Sequence, residues 1–211
     1  MNDGPAPPFF TPWTVRDVVD AEAPAFALRT YLEQAGVRRF LARASRGRRL
    51  GAAAEVGCGF GRLLPVLGEF ADRVTGFERQ PELAAEAARL HTAARIFRVS
   101  SLANLPAPDA AFDFVLTFTV LQHLVDPLAA RVAREILRLR APGGHVLLCE
   151  ETDPAHVHGD LSDAGGMCTV GRAAATYAGL FAPLRLLESA PRVIEPTYPR
   201  ADVGTYLLFG E

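Results

Sequence analysis

The stretch "AAAEVGCGFGRLLPVLG", Ala52 to Gly68, puts Gly57, Gly59 and Gly61 at alternate positions between an apolar run and a helix-like run. Glycine permits unusual backbone angles and removes the Cβ that would hold a ligand away from the main chain. A G-x-G-x-x-G fingerprint would aim a helix N-terminus at a pyrophosphate. Here the spacing is G-x-G-x-G, Arg62 stands where that fingerprint wants its third glycine, and Glu55 sits before the first one. A carboxylate at that place repels phosphate and suits an ammonium group, so the expected ligand has no pyrophosphate. A second acid, Glu78, closes "VTGFERQ" about where a residue that takes both ribose hydroxyls belongs.

Three histidines are candidates for proton transfer. His123 follows the apolar run "AFDFVLTFT", at the end of an expected strand. Its other reading is a packing and hydrogen-bonding residue, because position alone does not make a base. His156 and His158 lie in the long polar loop "EETDPAHVHGDLSDAGGMC", with Asp153 and Asp160, as base or metal-ligand candidates or as part of a solvated loop. Neither the loop nor the three scattered cysteines, Cys58, Cys149 and Cys168, has metal-ligand or disulfide spacing.

These residues need a frame, and strand–helix alternation supplies it. Strands are expected at Leu50–Val56, Arg73–Phe77, "RIFRVS", "AFDFVLTFT" and "HVLLCE", with helices at Arg62–Phe70, "QPELAAEAARLHTA" and a segment started by Asp126 as cap and Pro127. Two tail strands, Leu184–Ala190 and Val203–Phe209, follow the helix "GRAAATYAGLF" and should pair as an antiparallel hairpin. The predicted fold is α/β: a doubly wound, mostly parallel seven-stranded sheet with an antiparallel C-terminal hairpin and helices on both faces. The expected division is an N-terminal arm and helical cap over 1–49, then a ligand-binding domain over 50–211. In the cap, Phe26, Leu28, Tyr31, Leu32, Val37, Phe40 and Leu41 are expected to bury one helical face, with Gly36 as a break. Trp13, Phe9 and Phe10 belong to an arm that closes over the ligand or packs on the sheet's helices.

Apolar residues make up 49% of the 211-residue chain and the net charge is −2, which gives no global case for a nucleic-acid or membrane partner. All basic residues are arginine, six of them within 38–49, and their expected role is a solvated helix end rather than an RNA surface. No apolar run approaches 18 residues, and "MNDGPAPPFF" lacks the pattern of a signal peptide. The expected setting is the cytoplasm, as a monomer or homodimer.

Taken together, "EVGCGFG", Glu78, the segment Ser101–Pro127 and "APGGHVLL" resemble the class I S-adenosylmethionine-dependent methyltransferases, especially the small-molecule branch. The resemblance covers about residues 50–150 well. It implies that S-adenosyl-L-methionine is the cofactor and S-adenosyl-L-homocysteine the product. It places Glu55, Gly57, Cys58, Gly59 and Gly61 near the methionine and ribose parts, with Glu78 on the ribose and Arg79 flanking the adenine. Ser101 and Leu102 would lie at the adenine edge, and Phe118 or Thr119 near the methionine end. Ser101 departs from the family, which has Asp there. The expected reaction is methyl transfer to an O or N atom of a small molecule. A non-catalytic sensor of the cofactor and a nicotinamide-dependent oxidoreductase are the alternatives. Gly57→Val is expected to abolish binding and leave the fold intact.

Overall fold

A computed structural model describes residues 24–159, 161, 168–192 and 204–211. The aromatic arm with Phe9, Phe10 and Trp13, and Asp160 of the polar loop, lie outside the described residues. The elements run α1 (Pro24–Ser45), β1 (Leu50–Val56), α2 (Leu64–Phe70), β2 (Ala71–Glu78), α3 (Pro81–Leu90), β3 (Arg95–Arg98) and β4 (Phe112–Phe118). A 3-10 turn (Leu121–His123) leads to α4 (Asp126–Leu139), β5 (Arg140–Glu150), β6 (Val157–Gly159), β7 (Cys168–Val170), α5 (Ala174–Leu180), β8 (Arg185–Pro191) and β9 (Thr205–Gly210).

The main sheet has the order β3-β2-β1-β4-β5-β9-β8. The first five strands are parallel, and β9 runs antiparallel to both of its neighbours. The order reverses at β1/β4, which puts a topological switch point at the carboxyl ends of those strands. Alternate strand residues face opposite sides, so each strand feeds two cores. Ala52, Ala54, Val56, Val115, Val146 and Leu148 pack with α4 and α5. Ala53, Phe114, Leu116, Phe118 and Leu147 pack with α1 and α2.

Three local expectations are corrected. Gly36 does not break α1: a Cβ there would lie 2.4 Å from Tyr206 Oη, so this glycine admits β9 to the helix. The buried stripe of α1 is Glu33, Val37, Phe40, Leu41 and Ala44, while Leu28 and Tyr31 are exposed. An acid occupies the inner face because arginines meet it there. Asp126 does not cap α4, whose N-cap is Val125; its carboxylate accepts instead from Arg172 Nε at 2.8 Å. The polar loop after β5 also contains structure: β6 and β7 pair antiparallel, with His158 opposite Thr169.

Candidate active site

β1 ends in a loop whose shape depends on glycine. Gly57, Gly59 and Gly61 have φ of 75°, 56° and 88°, in the left-handed region that L side chains enter only with strain. Their surroundings differ. A Cβ on Gly57 would lie 2.5 Å from Val120 Cγ2, and one on Gly61 would lie 2.4 Å from His91 Cδ2. At Gly59 it would meet nothing within 4 Å. Gly57 and Gly61 therefore let neighbouring segments close in, and Gly59 alone presents bare backbone to open space. The Gly57→Val expectation is corrected accordingly, because a side chain there strikes Val120 before it meets any ligand.

The loop is tied to β2 by Phe77, whose carbonyl accepts from Gly57 N at 2.8 Å and Cys58 N at 3.1 Å. Glu78 completes the tie: Oε2 accepts from Gly59 N at 2.8 Å and Oε1 from Gln80 N at 2.7 Å. A carboxylate oxygen has two lone pairs, so both oxygens keep capacity for a further donor. Glu55 differs: its Oε2 is buried with no hydrogen-bond partner among the described residues. Burial pushes its carboxyl up to about 8, against the pull of Arg62, while Glu78 adds to the rise. Cys58 is buried beside Gly76, where a Cβ would lie 2.7 Å from its Sγ. Burial, then the charges of Glu55 and Glu78, push its thiol up, so it acts as a small apolar contact.

A feature that sequence reasoning missed lies beside this loop. Glu33 of α1 is 1% exposed and is paired with Arg29, Arg62 and Arg192. Burial alone would raise its pKa, but the fields of Arg62, Arg192 and Arg29 outweigh that and hold it below the usual range. Phe118, the last residue of β4, has the Arg62 guanidinium 4.8 Å and that of Arg192 5.1 Å from its ring centroid. Arg62 occupies the position noted in the sequence only as a missing glycine. It stands seven residues after Glu55, and its charge opposes the rise in that carboxyl's pKa.

At the other end of the switch point, Glu150 is wholly buried. Oε1 accepts from Val120 N and Leu121 N, each at 3.1 Å, and Oε2 accepts from Gln122 N at 3.0 Å. Its pKa rises to about 7, because burial outweighs these backbone bonds and the Thr117 hydroxyl. His123 follows this turn, with Nδ1 2.8 Å from the Cys168 carbonyl. A carbonyl only accepts, so Nδ1 carries the proton and Nε2 the lone pair, 3.4 Å from Gln122 Nε2. Burial lowers its pKa against the opposing bond to Cys168, which keeps the ring neutral.

Thr169 Oγ1 is 3.5 Å from His123 Nδ1, and its strand partner is His158. The His156 and His158 rings stack at 6.1 Å. His156 Nδ1 is 3.1 Å from Glu151 Oε2, a close approach that forms no hydrogen bond. The hairpin thus brings all three histidines to one side of the molecule. Arg172 clamps it there, donating to the carbonyls of Leu121 at 2.9 Å and Leu124 at 2.5 Å. Near β3, Ser101 Oγ accepts from Ala103 N at 3.2 Å, Leu102 packs against the α4 core, and Arg79 is exposed.

Comparison with known proteins agrees with this layout. Residues 54–148 match the methyltransferase domain family model. A probable S-adenosylmethionine-dependent methyltransferase of Mycolicibacterium smegmatis is 38% identical over 98 residues, 44% of this chain and 35% of that protein. Ajmaline N-methyltransferase of Rauvolfia serpentina is 32% identical over 114 residues, 51% of this chain and 37% of that protein. The chain thus spans little more than a third of the length of either relative. Among solved structures, a SAM-dependent methyltransferase of Leishmania major has a TM-score of 0.73 at 18% identity, covering 94% of this chain and 77% of its own. The N-methyltransferase NodS of Bradyrhizobium japonicum, in complex with S-adenosyl-L-homocysteine, has a TM-score of 0.63 at 17% identity, covering 84% and 86%. The sheet order and the matched segment define a Rossmann-like α/β fold of the methyltransferase class. Residues 54–148 match the methyltransferase domain model, on a fold similar to that of S-adenosylmethionine-dependent methyltransferases.

Proposed function

We propose that this protein transfers a methyl group from S-adenosylmethionine to an O or N atom of a small-molecule acceptor. The observation that carries the reading is the buried, partnerless Oε2 of Glu55, beside the open backbone of Gly59 and close enough to Arg62 for their charges to couple. An α-amino acid bears an ammonium and a carboxylate on one carbon, and Glu55 with Arg62 offers the complementary pair. Glu78 would take the ribose hydroxyls on its remaining lone pairs, and Phe118 would bound the methionine end. When bound, the cofactor supplies an electrophilic methyl group on sulfur.

The acceptor side is assigned to the carboxyl ends of β4 and β5, under the β6/β7 hairpin. His123 is assigned there as the group that would take the acceptor's proton, its Nε2 exchanging Gln122 Nε2 for the acceptor, and its depressed pKa keeps it neutral for that task. His156 and His158 border the same side as secondary candidates. The N-methylating relative supports an amine acceptor most directly, at a third of its own length. The cytoplasm is the setting we infer.

Calorimetry with S-adenosylhomocysteine and with NAD tests the cofactor, and a methyl-donor assay over phenol, carboxylate, amine and RNA pools tests the acceptor. Binding of NAD without S-adenosylhomocysteine would sink the reading, and cofactor binding without turnover on any pool would favour a sensor. With an acceptor found, His123→Ala should lower the single-turnover rate by about 10²–10⁴-fold and leave cofactor affinity nearly unchanged.

A further inference from the structure

The carboxyl ends of β2 and β3 form a cleft of about 620 Å³. Arg79, Gln80 and Pro81 line it from the β2 side, and Arg98, Val99 and Ser100 from the β3 side. Arg98 is the register partner of Glu78 across the parallel pair. A ribose held by Glu78 therefore delivers its base into this cleft, a step that rests on the cofactor reading above.

The chemistry of the wall is unlike that of a site that reads a base by its amino edge. It has a guanidinium from each strand end and no acid among its lining residues. A guanidinium plane is attracted to an electron-rich ring face and stacks on it. Such stacking tolerates changes at the base edge, since every base has a π-face. Ser101 directly follows Ser100 of this lining, and its Oγ already accepts from Ala103 N. A hydroxyl can donate as well as accept, whereas an ionised carboxylate only accepts. Ser101 can therefore face an amino group or an oxo group at C6 of a purine, while a carboxylate there would repel the oxo oxygen.

We propose that Arg79 and Arg98 grip the cofactor's base by its faces, with Ser101 at the edge, so that the site accepts 6-oxopurine as well as 6-aminopurine forms of the cofactor. Specificity for the nucleoside then comes from the ribose acid and the ring faces, not from the exocyclic amine.

The full chain is titrated by calorimetry with S-adenosylhomocysteine and with S-inosylhomocysteine. The two dissociation constants should agree within about tenfold, where a site built around the amine would reject the oxo form by about 10⁴-fold. Arg98→Ala should weaken both by a similar factor, about 3- to 30-fold, the span of exposed to desolvated cation–π contacts. Ser101→Asp should restore discrimination, holding the adenosyl form and losing the inosyl one. Inorganic phosphate in millimolar excess should not compete; competition would mean that the guanidiniums take an anion, and would overturn the proposal. Rejection of the inosyl form by wild type, or affinities indifferent to both Arg79→Ala and Arg98→Ala, would also overturn it while the cofactor reading stood. Failure of wild type to bind either compound would remove that reading and the proposal together.

Discussion

The two halves of the switch point are held in shape by different means. At the end of β1, main-chain conformation does the work: left-handed glycines fold the loop, and Glu78 accepts one N–H from it and one from Gln80. At the end of β4, a side chain does it: Glu150 accepts three consecutive N–H groups of a turn with no glycine. The first carboxylate is 7% exposed and keeps lone pairs to spare. The second is 0% exposed and absorbed by its turn. Both stabilise backbone, but only the first can also serve a ligand. Similar chemistry therefore predicts opposite phenotypes.

Exchanging each acid for alanine tests that contrast most strongly. Glu150→Ala strands the N–H groups of Val120, Leu121 and Gln122 in the interior. At about 1–3 kcal/mol for each unsatisfied group, the expected stability loss is about 3 kcal/mol or more. Urea unfolding measures it, and a loss below about 1 kcal/mol would mean that the turn holds itself. Glu78→Ala should cost less stability, since Gly59 and Gln80 are only half-buried, whereas Leu121 and Gln122 are buried. Its S-adenosylhomocysteine affinity should instead fall by about 1.5–3 kcal/mol, roughly 10- to 150-fold. Equal stability losses in the two variants would erase the distinction.

Two glycines sharpen the comparison within one loop. Gly57→Ala adds a Cβ 2.5 Å from Val120 Cγ2 at φ 75°, so it disturbs the junction between the two halves. Left-handed strain of about 1–2 kcal/mol plus displacement of Val120 should lower both the melting temperature and cofactor affinity. Gly59→Ala bears similar strain without the clash. Its stability should fall by only about 1–2 kcal/mol, with the greater share of the damage in binding. If the two variants melted together, the contact with Val120 would carry no weight.

What was legible in the sequence follows the same division. The G-x-G-x-G spacing, Glu55 and Glu78 could be read because a loop built from φ angles needs glycine at fixed places. The parallel strands were legible too, as apolar runs such as Phe112–Phe118 that are buried on both faces. Glu150 carries no local signal, since its partners are backbone groups some thirty residues away. Glu33 was hidden for the same reason: nothing local marks an acid on an inner helical face whose partners, Arg62 and Arg192, come from other elements. The β6/β7 hairpin escaped because three-residue strands, Val157–Gly159 and Cys168–Val170, are too short to show a period of two. Of the six arginines over 38–49, four meet acids that their spacing does not reveal: Arg38 meets Glu69, Arg39 and Arg43 meet Glu188, and Arg49 meets Asp72.

The smallest effect expected is a protonic one, and it separates Glu55 from both other acids. Its folded pKa is raised from 4.5 to about 8 by burial. Between those values the folded protein holds a proton that the unfolded chain has released. Stability from this group is therefore fully present below about pH 4.5 and is lost as pH rises toward 8. Glu150, raised to about 7, contributes a slope of the same sign over a narrower window. Ligand binding should act in the opposite sense at Glu55, because an ammonium group favours the carboxylate and drives the proton out. Calorimetry at pH 7 in two buffers of different ionisation enthalpy should then show release of up to about one proton per S-adenosylhomocysteine bound. Glu55→Gln should bind more weakly and release none, while Glu150→Gln should leave the release unchanged. A wild-type enthalpy that did not depend on the buffer would mean that Glu55 stays protonated in the complex, and the ammonium group would then have to find its partner elsewhere.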